Sequence, residues 1–405
     1  MIFDLIVIGG GAAGFFGAIQ AKTLKPGLSV LILEKSTKLL SKVRVSGGGR
    51  CNVTHHCYNP FELSRHYPRG EKQVKKLFQR YGAEQVRNWF SEKRVQLKVE
   101  EDGRMFPTSD RSQTIIDCFL EEAEKQNIRI ITNSGVTSLA IHDGHIEIEA
   151  GGTTYEAKKV LVAIGGSAKA EGYAFLSKVG HTILSPIPSL FTFNSQSNQF
   201  QDLMGISMPD AEVKIASSKY VQRGPLLITH WGLSGPAVIR LSAWAAQFLN
   251  EKQYIFDALI NWIGLTEDDC REGLLKLKEV NPKQKITKNP DFTVPLRLWQ
   301  RLCELSGIEE DRVYGDISMK QLNRLVEYLT HCVISIKGKT TFKEEFVTCG
   351  GIDLNEVNLE TLESKIVPNL YFAGEVLNID GETGGFNFQA AWTTGYVAAE
   401  SICHP

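Results

Sequence analysis

The chain has no CxxC pair and no histidine spacing of the kind that holds zinc, and its eight cysteines are scattered through 405 residues. A disulfide-stapled or zinc-nucleated fold is therefore not expected; reduced thiols in a cytoplasmic setting are. No apolar run approaches the ~20 residues that cross a bilayer. The start, Met1-Ile2-Phe3-Asp4-Leu5-Ile6-Val7, lacks a cationic segment and runs straight into glycine, so no signal peptide is expected. Charge of one sign is missing as well. With 45 Lys and Arg against 46 Asp and Glu, no overall field draws the chain to nucleic acid or membrane. Repeats, low-complexity tracts and Pro/Ser-rich linkers are absent. What remains is an ordinary globular composition, 42% hydrophobic and 22% charged, on a chain long enough for two or three packed units.

The first 35 residues read as a βαβ unit. Phe3 to Ile8 is apolar apart from Asp4, as a parallel strand covered on both faces requires. Ala12 to Leu24 suits a helix, and Leu28 to Leu33 a second buried strand. Helical patterns follow at Glu71–Val95 and Ser112–Gln126. Short strands are expected at Ile128–Thr132, Thr137–His142, His145–Ala150, Thr153–Ala157 and Val160–Ile164, with Asp143-Gly144 as a hairpin turn. From about Ser189 the pattern changes: β-like segments at Leu190–Phe193 and Ala211–Ala216, then helices at Thr266–Glu279, Val294–Ser306 and Ser318–Leu329. Asn369–Ala373 is a last buried strand entering a glycine-rich loop. The simplest arrangement is a nucleotide-binding domain with a long insertion, completed by the returning C-terminus.

Gly9-Gly10-Gly11-Ala12-Ala13-Gly14 fits G-x-G-x-x-G. In a chain with 36 glycines three fixed positions match by chance roughly 0.3 times, so context must carry the motif. The context is right: a strand precedes, a helix follows, and Glu34 ends the second strand 20 residues after Gly14. Gly9 permits the tight turn, Gly11 lets backbone approach a pyrophosphate, and Gly14 allows close helix–strand packing. The helix start offers free N–H groups and a positive dipole end. Glu34 can accept from a ribose. Two features favour FAD over NAD. Lys159 to Gly166 re-enters the sheet after the β-meander, and Leu370-Tyr371-Phe372-Ala373-Gly374-Glu375 places an acid where a ribitol is expected. Gly381, Gly384 and Gly385 then precede Phe386-Asn387-Phe388-Gln389, at a helix N-terminus suited to negative charge on a reduced ring. No second G-x-G-x-x-G exists, so NAD(P)H is expected only as a transient reductant. Lys42-Val43-Arg44-Val45-Ser46-Gly47-Gly48-Gly49-Arg50-Cys51-Asn52 is an anion-cradling loop by composition.

Ser46-Gly47-Gly48-Gly49-Arg50-Cys51-Asn52, Gly232-Leu233-Ser234-Gly235-Pro236-Ala237 and Gly374-Glu375 through Gly384-Gly385-Phe386-Asn387-x-Gln389 resemble the BaiN/RdsA-type NAD(P)/FAD-dependent oxidoreductases, a family that includes aminoacetone oxidase. The resemblance runs through essentially the whole chain. It implies an α/β fold: a Rossmann-like FAD domain of glutathione-reductase type, interrupted by an inserted β-barrel-like domain with a helical subdomain. The expected bounds are 1–188 with 348–405 for the FAD domain, 189–264 with 332–347 for the β-domain, and 265–331 for the helices. Gly9, Gly11, Ala12, Ala13, Gly14, Glu34 and Lys35 would hold the ADP half. Lys42, Ser46 to Asn52, Gly374, Glu375, Gly385, Phe386, Asn387 and Gln389 would surround the flavin half, with Val136, Ala163 and Gly165 adjoining. The loop His230-Trp231-Gly232-Leu233-Ser234-Gly235-Pro236 is expected on the substrate side. One departure stands out: Ser167 to Tyr173 replaces the longer Thr/Gly-rich loop of many members.

The family implies three substrate types: steroid-like enones, amines, and uridine in ribosomal RNA. The first and third share hydride delivery to an activated C=C bond, which needs donors for enolate charge and an acid for the α-carbon. Arg50, Cys51 and His230 are the catalytic candidates, and none has a partner fixed by sequence. Between Arg65 and Lys98 stand ten Lys or Arg against three Glu, interleaved with Tyr67, Phe78, Tyr81, Trp89 and Phe90. Either basic residues meet phosphates and an exposed ring stacks a base, or an amphipathic helix pair has a solvated basic face and aromatics in its core. Reduction of uridine to dihydrouridine in rRNA is the leading expectation. An O2-dependent aminoacetone-type amine oxidase and an RNA-binding or redox-sensing flavoprotein without turnover are the alternatives. Oligomeric state is not readable.

Overall fold

The computed structural model describes residues 2–195, 199–340 and 347–404. The chain divides into two compact units, Met1–Ser189 with Phe342–Pro405 and Leu190–Thr341. The expected return to the first domain near 348 adjoins residues 341–346, which lie outside the described residues.

In the first unit Ile2–Ile8 pairs in parallel with Val30–Leu33 on one side and Thr153–Val162 on the other. Val30–Leu33 pairs in parallel with Arg129–Ile131, and the meander Val136–His142, His145–Ala150, Thr153–Val162 is antiparallel. Leu370–Phe372 pairs in parallel with the second half of Thr153–Val162, from Leu370↔Val160 to Phe372↔Val162. The structure thus fuses the two strands expected at Thr153–Ala157 and Val160–Ile164. One continuous strand serves both, because its first half takes the meander as partner and its second half takes the returning C-terminal strand.

The helix expected over Glu71–Val95 is two, Glu71–Arg80 and Ala83–Glu92, broken at Tyr81-Gly82, where Gly82 begins the second. Their apolar face joins a ring cluster of Phe16, Trp89, Phe119 and Trp392, with centroids 4.9 to 6.3 Å apart. Each such edge or offset contact stabilises by about 0.5–1.5 kcal/mol beyond its buried area. The glycine-loop helix Ala12–Leu24 and the C-terminal helix Phe386–Cys403 are buried over most of their faces within the same core.

The second unit is built on a seven-stranded antiparallel sheet in the order Cys332–Lys337, Ile255–Asn261, Ser207–Ile215, Val221–Thr229, Gly232–Ser234, Thr192–Asn194, Lys339–Thr340. Its helices Glu267–Val280, Leu296–Leu305 and Met319–Thr330 share one apolar core with that sheet. No helix among the described residues is long and apolar enough to cross a membrane.

Candidate functional site

The glycine loop of the first unit has a closed side and an open side. Gly9 sits at φ 115, and a Cβ there would lie 2.4 Å from the Ala163 carbonyl oxygen. A Cβ on Gly14 would lie 2.0 Å from the Gly9 carbonyl oxygen. Gly11 faces the other way: no atom stands within 4 Å of where its Cβ would be. Gly11 also caps Ala12–Leu24 with no side-chain bond, and no acid occupies the first turn. Free N–H groups and the positive helix end therefore coincide with open space at Gly11, with Ala12 half-buried and Ala13 buried behind it. Glu34 is fixed beside them. Its Oε2 accepts from the Gly10 N–H (2.8 Å) and its Oε1 from the Ser36 N–H (2.8 Å), and each oxygen keeps a lone pair for a hydroxyl. Lys35 is exposed, and half-buried Val136 begins the next strand.

The second half of the site starts in the helix Ser41–Gly49, which is kinked from Ser46 onward. Gly47, Gly48 and Gly49 have φ of 56°, 68° and 84°, a left-handed run that glycine adopts without strain. Gly48 and Gly49 meet nothing within 4 Å, as does Gly165, so bare backbone faces open space on this half too. With its amide oriented to satisfy both neighbours, Asn52 accepts from the Gly385 N–H (2.9 Å) and donates to the Thr54 carbonyl (3.0 Å). Asn387 holds Gly381 by both amide atoms, accepting from its N–H and donating to its carbonyl at 2.8 Å each. Gln389 is fully buried, accepting from Thr54 Oγ1 (2.5 Å) and donating to Thr393 Oγ1 (2.9 Å). Asn387 thus ties Gly381 to the start of the C-terminal helix, while Asn52 and Gln389 tie Gly385 and that helix to Thr54. Gly374 donates to Thr394 Oγ1 (2.8 Å). Glu375 accepts from the Thr348 N–H (2.7 Å) and from Lys42 Nζ (2.6 Å), a pair 333 positions apart in sequence.

The three catalytic candidates fare differently. Arg50 donates to Glu100 (2.5 Å) and stacks 4.0 Å from the Phe106 ring centroid, so its charge is already committed. Cys51 is fully buried at φ 63, and burial pushes its thiol up to about 12. A thiol with no access to solvent and no tendency to ionise does not serve as an exchanging acid. Of the eight cysteines only Cys57 is half-buried; the rest are buried. A thiol reagent at neutral pH is therefore expected to titrate at most one cysteine in the native protein and all eight after denaturation. His230 is an exposed residue of the second unit, its ring edge-on to Trp231 at 4.1 Å. Its loop forms the strand Gly232–Ser234 and caps the helix Pro236–Trp244. The short segment after Gly165 closes on itself, with the Ser167 N–H donating to the buried Tyr173 hydroxyl (2.9 Å).

A fourth group was not visible in the sequence. His66 Nδ1 lies 2.5 Å from Oε1 of buried Glu382, and the Glu382 N–H donates back to the His66 carbonyl (3.0 Å). The imidazole stacks on Phe386 at 4.1 Å and 10°, with His55 also stacked on that ring at 4.8 Å. Tyr67 Oη donates to the Phe386 carbonyl (2.5 Å). The ring is thus fixed at Nδ1 and on one face, directly at the N-terminus of the C-terminal helix. No described residue bonds its Nε2.

Among the described residues no cluster of three or more His, Cys, Asp or Glu could hold a metal ion. The aromatics of the basic segment correct the stacking expectation: Tyr67, Phe78, Tyr81, Trp89 and Phe90 are all buried, so the segment is an amphipathic pair with a solvated basic face.

A model of the HI0933-like protein Rossmann domain matches residues 3–401. The chain is 30% identical to the ribosomal RNA dihydrouridine synthase of Escherichia coli, with 99% of this chain and 98% of that one covered. It is 26% identical to the 3-dehydro-bile acid delta(4,6)-reductase of Clostridium scindens, with 98% of each covered. Among solved structures, the 3-ketosteroid delta1-dehydrogenase of Sterolibacterium denitrificans superposes with a TM-score of 0.51 at 12% identity, covering 99% of both chains, a likeness of fold.

Proposed function

The chain belongs to the HI0933-like Rossmann family and is an FAD-dependent oxidoreductase, and from that premise we propose that it reduces an activated C=C bond, with a uracil base of ribosomal RNA as its substrate. Relatives named ribosomal RNA dihydrouridine synthase and 3-dehydro-bile acid delta(4,6)-reductase both support reduction of a C=C bond. The residues present fit FAD: open backbone at Gly11 would take the pyrophosphate, Glu34 the ribose and Glu375 with Lys42 the ribitol, and the open backbone of Gly48 and Gly49 would serve the flavin half. When bound, FAD supplies the hydride that NAD(P)H provides.

The observation that carries the reductase reading is the His66–Glu382 pair on the loop that leads into the C-terminal helix. Saturating a C=C bond conjugated to a carbonyl requires a proton at the α-carbon and stabilisation of charge on the oxygen. His66 Nδ1 donates to Glu382, which orients the ring, and Nε2 is the atom from which a proton would be given to the α-carbon. The N-terminus of Phe386–Cys403, free of acids in its first turn, stabilises negative charge facing it.

His66→Gln is expected to leave bound FAD and its reduction by NAD(P)H intact while slowing reoxidation by a uridine-containing rRNA fragment by ~100-fold or more. Equal reoxidation rates in rapid-mixing absorbance would remove His66 from the chemistry. For the substrate itself, rRNA from a strain lacking this gene should lose dihydrouridine at one or more positions. Full retention excludes the rRNA reading, and peroxide release on adding small amines would put the amine-oxidase alternative in its place.

A further inference from the structure

The segment 65–69, just after the helix Pro60–Ser64, and the helix Glu71–Arg80 carry cations that take no part in the cofactor cradle. Some are committed elsewhere: Arg69 pairs with Asp380, and Arg80 with Glu400 and the Glu360 carbonyl. Arg65, Lys72, Lys75 and Lys76 are not; among the described residues none of the four has an ion-pair partner. Two of them, Arg65 and Lys75, flank Phe61, a ring left 44% exposed on a short helix capped by Asn59. The Arg65 guanidinium and the Lys75 ammonium each lie 4.3 Å from that ring's centroid. Lys72 and Lys76 stand one turn apart on the exposed side of the neighbouring helix.

Neither the exposed ring nor the bare charge follows from folding. The buried face of these helices is made by Leu63, Val74, Leu77 and Phe78, and the outward positions are free to be neutral. Like charges at helical spacing repel, and only Glu62 and Glu71 stand among them in sequence. The ring offsets part of that cost by holding two cations through their interaction with its π face, which fixes where those charges point. A set of four cations without ion-pair partners, two of them held by a ring, suits a polyanion with regularly spaced charges.

We propose that Arg65 and Lys75, held over Phe61, together with Lys72 and Lys76 on the same exposed helix side, form the surface on which the phosphate backbone of the ribosomal RNA substrate docks. The inference rests on the rRNA reading above. Contacts of this kind set affinity and register rather than sequence choice. Each phosphate neutralised contributes about 0.7–0.9 to the slope of log affinity against log salt.

The test uses the FAD-loaded protein and a uridine-containing rRNA fragment, with binding followed by fluorescence anisotropy from 50 to 300 mM salt. R65Q/K72Q/K75Q/K76Q is expected to lower the salt slope by about 3 and weaken binding by ~30-fold or more at the low-salt end. FAD content, NAD(P)H reduction of the flavin and melting temperature should stay as in the parent. Phe61→Ala, which keeps every charge, should weaken binding several-fold with little change of slope. A parent that binds while the quadruple variant binds as tightly with the same slope overturns the docking surface and leaves the rRNA reading standing. A parent that fails to bind rRNA at 50 mM salt overturns the rRNA reading and the surface with it. Loss of binding to anionic phospholipid vesicles with rRNA binding unchanged would assign the surface to a membrane and overturn the proposal.

Discussion

Gly14→Val is expected to cost the protein its FAD and several degrees of melting temperature together, whereas Gly11→Val should cost the FAD alone. The two glycines lie in one turn but face opposite environments. A Cβ on Gly14 meets the Gly9 carbonyl at 2.0 Å, and that carbonyl is held by the turn packed against Ala163. Backbone on both sides leaves little room to shift, so the clash should exceed the usual overpacking cost of about 1–3 kcal/mol. Gly11 has an extended φ of −95°, open to any residue, and nothing within 4 Å of its Cβ position. Its side chain would fill only the space where a pyrophosphate meets the helix end. Affinity for FAD should fall by ~100-fold or more, equivalent to at least about 2.7 kcal/mol, while the apoprotein melts as the parent does. Flavin fluorescence titration beside apoprotein melting separates the two effects. Undiminished FAD binding by Gly11→Val would place the pyrophosphate elsewhere.

Arg69→Leu should destabilise the first unit by about 3–5 kcal/mol, because it strands a buried carboxylate. Arg69 Nε donates to Asp380 Oδ1 (2.6 Å), and Nη2 bonds the other oxygen. Asp380 is wholly buried and also accepts from Ser189 Oγ at 3.0 Å. The two residues form an isolated antiparallel bridge, so the pair ties the segment after His66 to the loop carrying Glu382. Removing the arginine should therefore loosen the same loop that presents Gly381, Gly385 and Phe386, and FAD content should fall with stability. Arg69→Leu with Asp380→Leu should recover much of the stability, since no unpaired charge is left inside. Denaturant unfolding of the single and double variants reads both. A loss under about 1 kcal/mol in the single variant would mean that Asp380 finds another partner or takes up a proton at little cost.

What the sequence discloses about this fold follows the range of the interactions involved. The first βαβ unit is local: a continuous apolar strand, glycines at fixed offsets and a helix are all read from neighbours along the chain. The helix break at Tyr81-Gly82 carried a glycine signal, but the apolar spacing on either side of it suggested one helix. The two strands expected at Thr153–Ala157 and Val160–Ile164 merge into one whose second half pairs with a strand more than 200 residues away, a partner no local pattern reveals. Glu375 was placed at the site by its motif, yet its tie to Lys42 crosses 333 positions and no local pattern encodes it. His66 and Glu382 are 316 apart, and each alone looks like a polar loop residue. The aromatics of the basic segment did carry a usable signal: Val74, Leu77, Phe78 and Tyr81 share a helical face, which points them to the core. Phe61 breaks that pattern, and its exposure beside unpaired cations emerged only from the structure.

The most direct measurement is anaerobic flavin absorbance of the FAD-loaded protein, first with NADPH or NADH and then with a uridine-containing rRNA fragment. Bleaching by the nicotinamide followed by recovery only when the RNA is added, with dihydrouridine formed in step with the flavin reoxidised, is the predicted result. Flavin that stays bleached with RNA but recovers with a steroid-type enone would contradict the rRNA substrate and keep the C=C reduction; recovery only with oxygen and an amine product would contradict both.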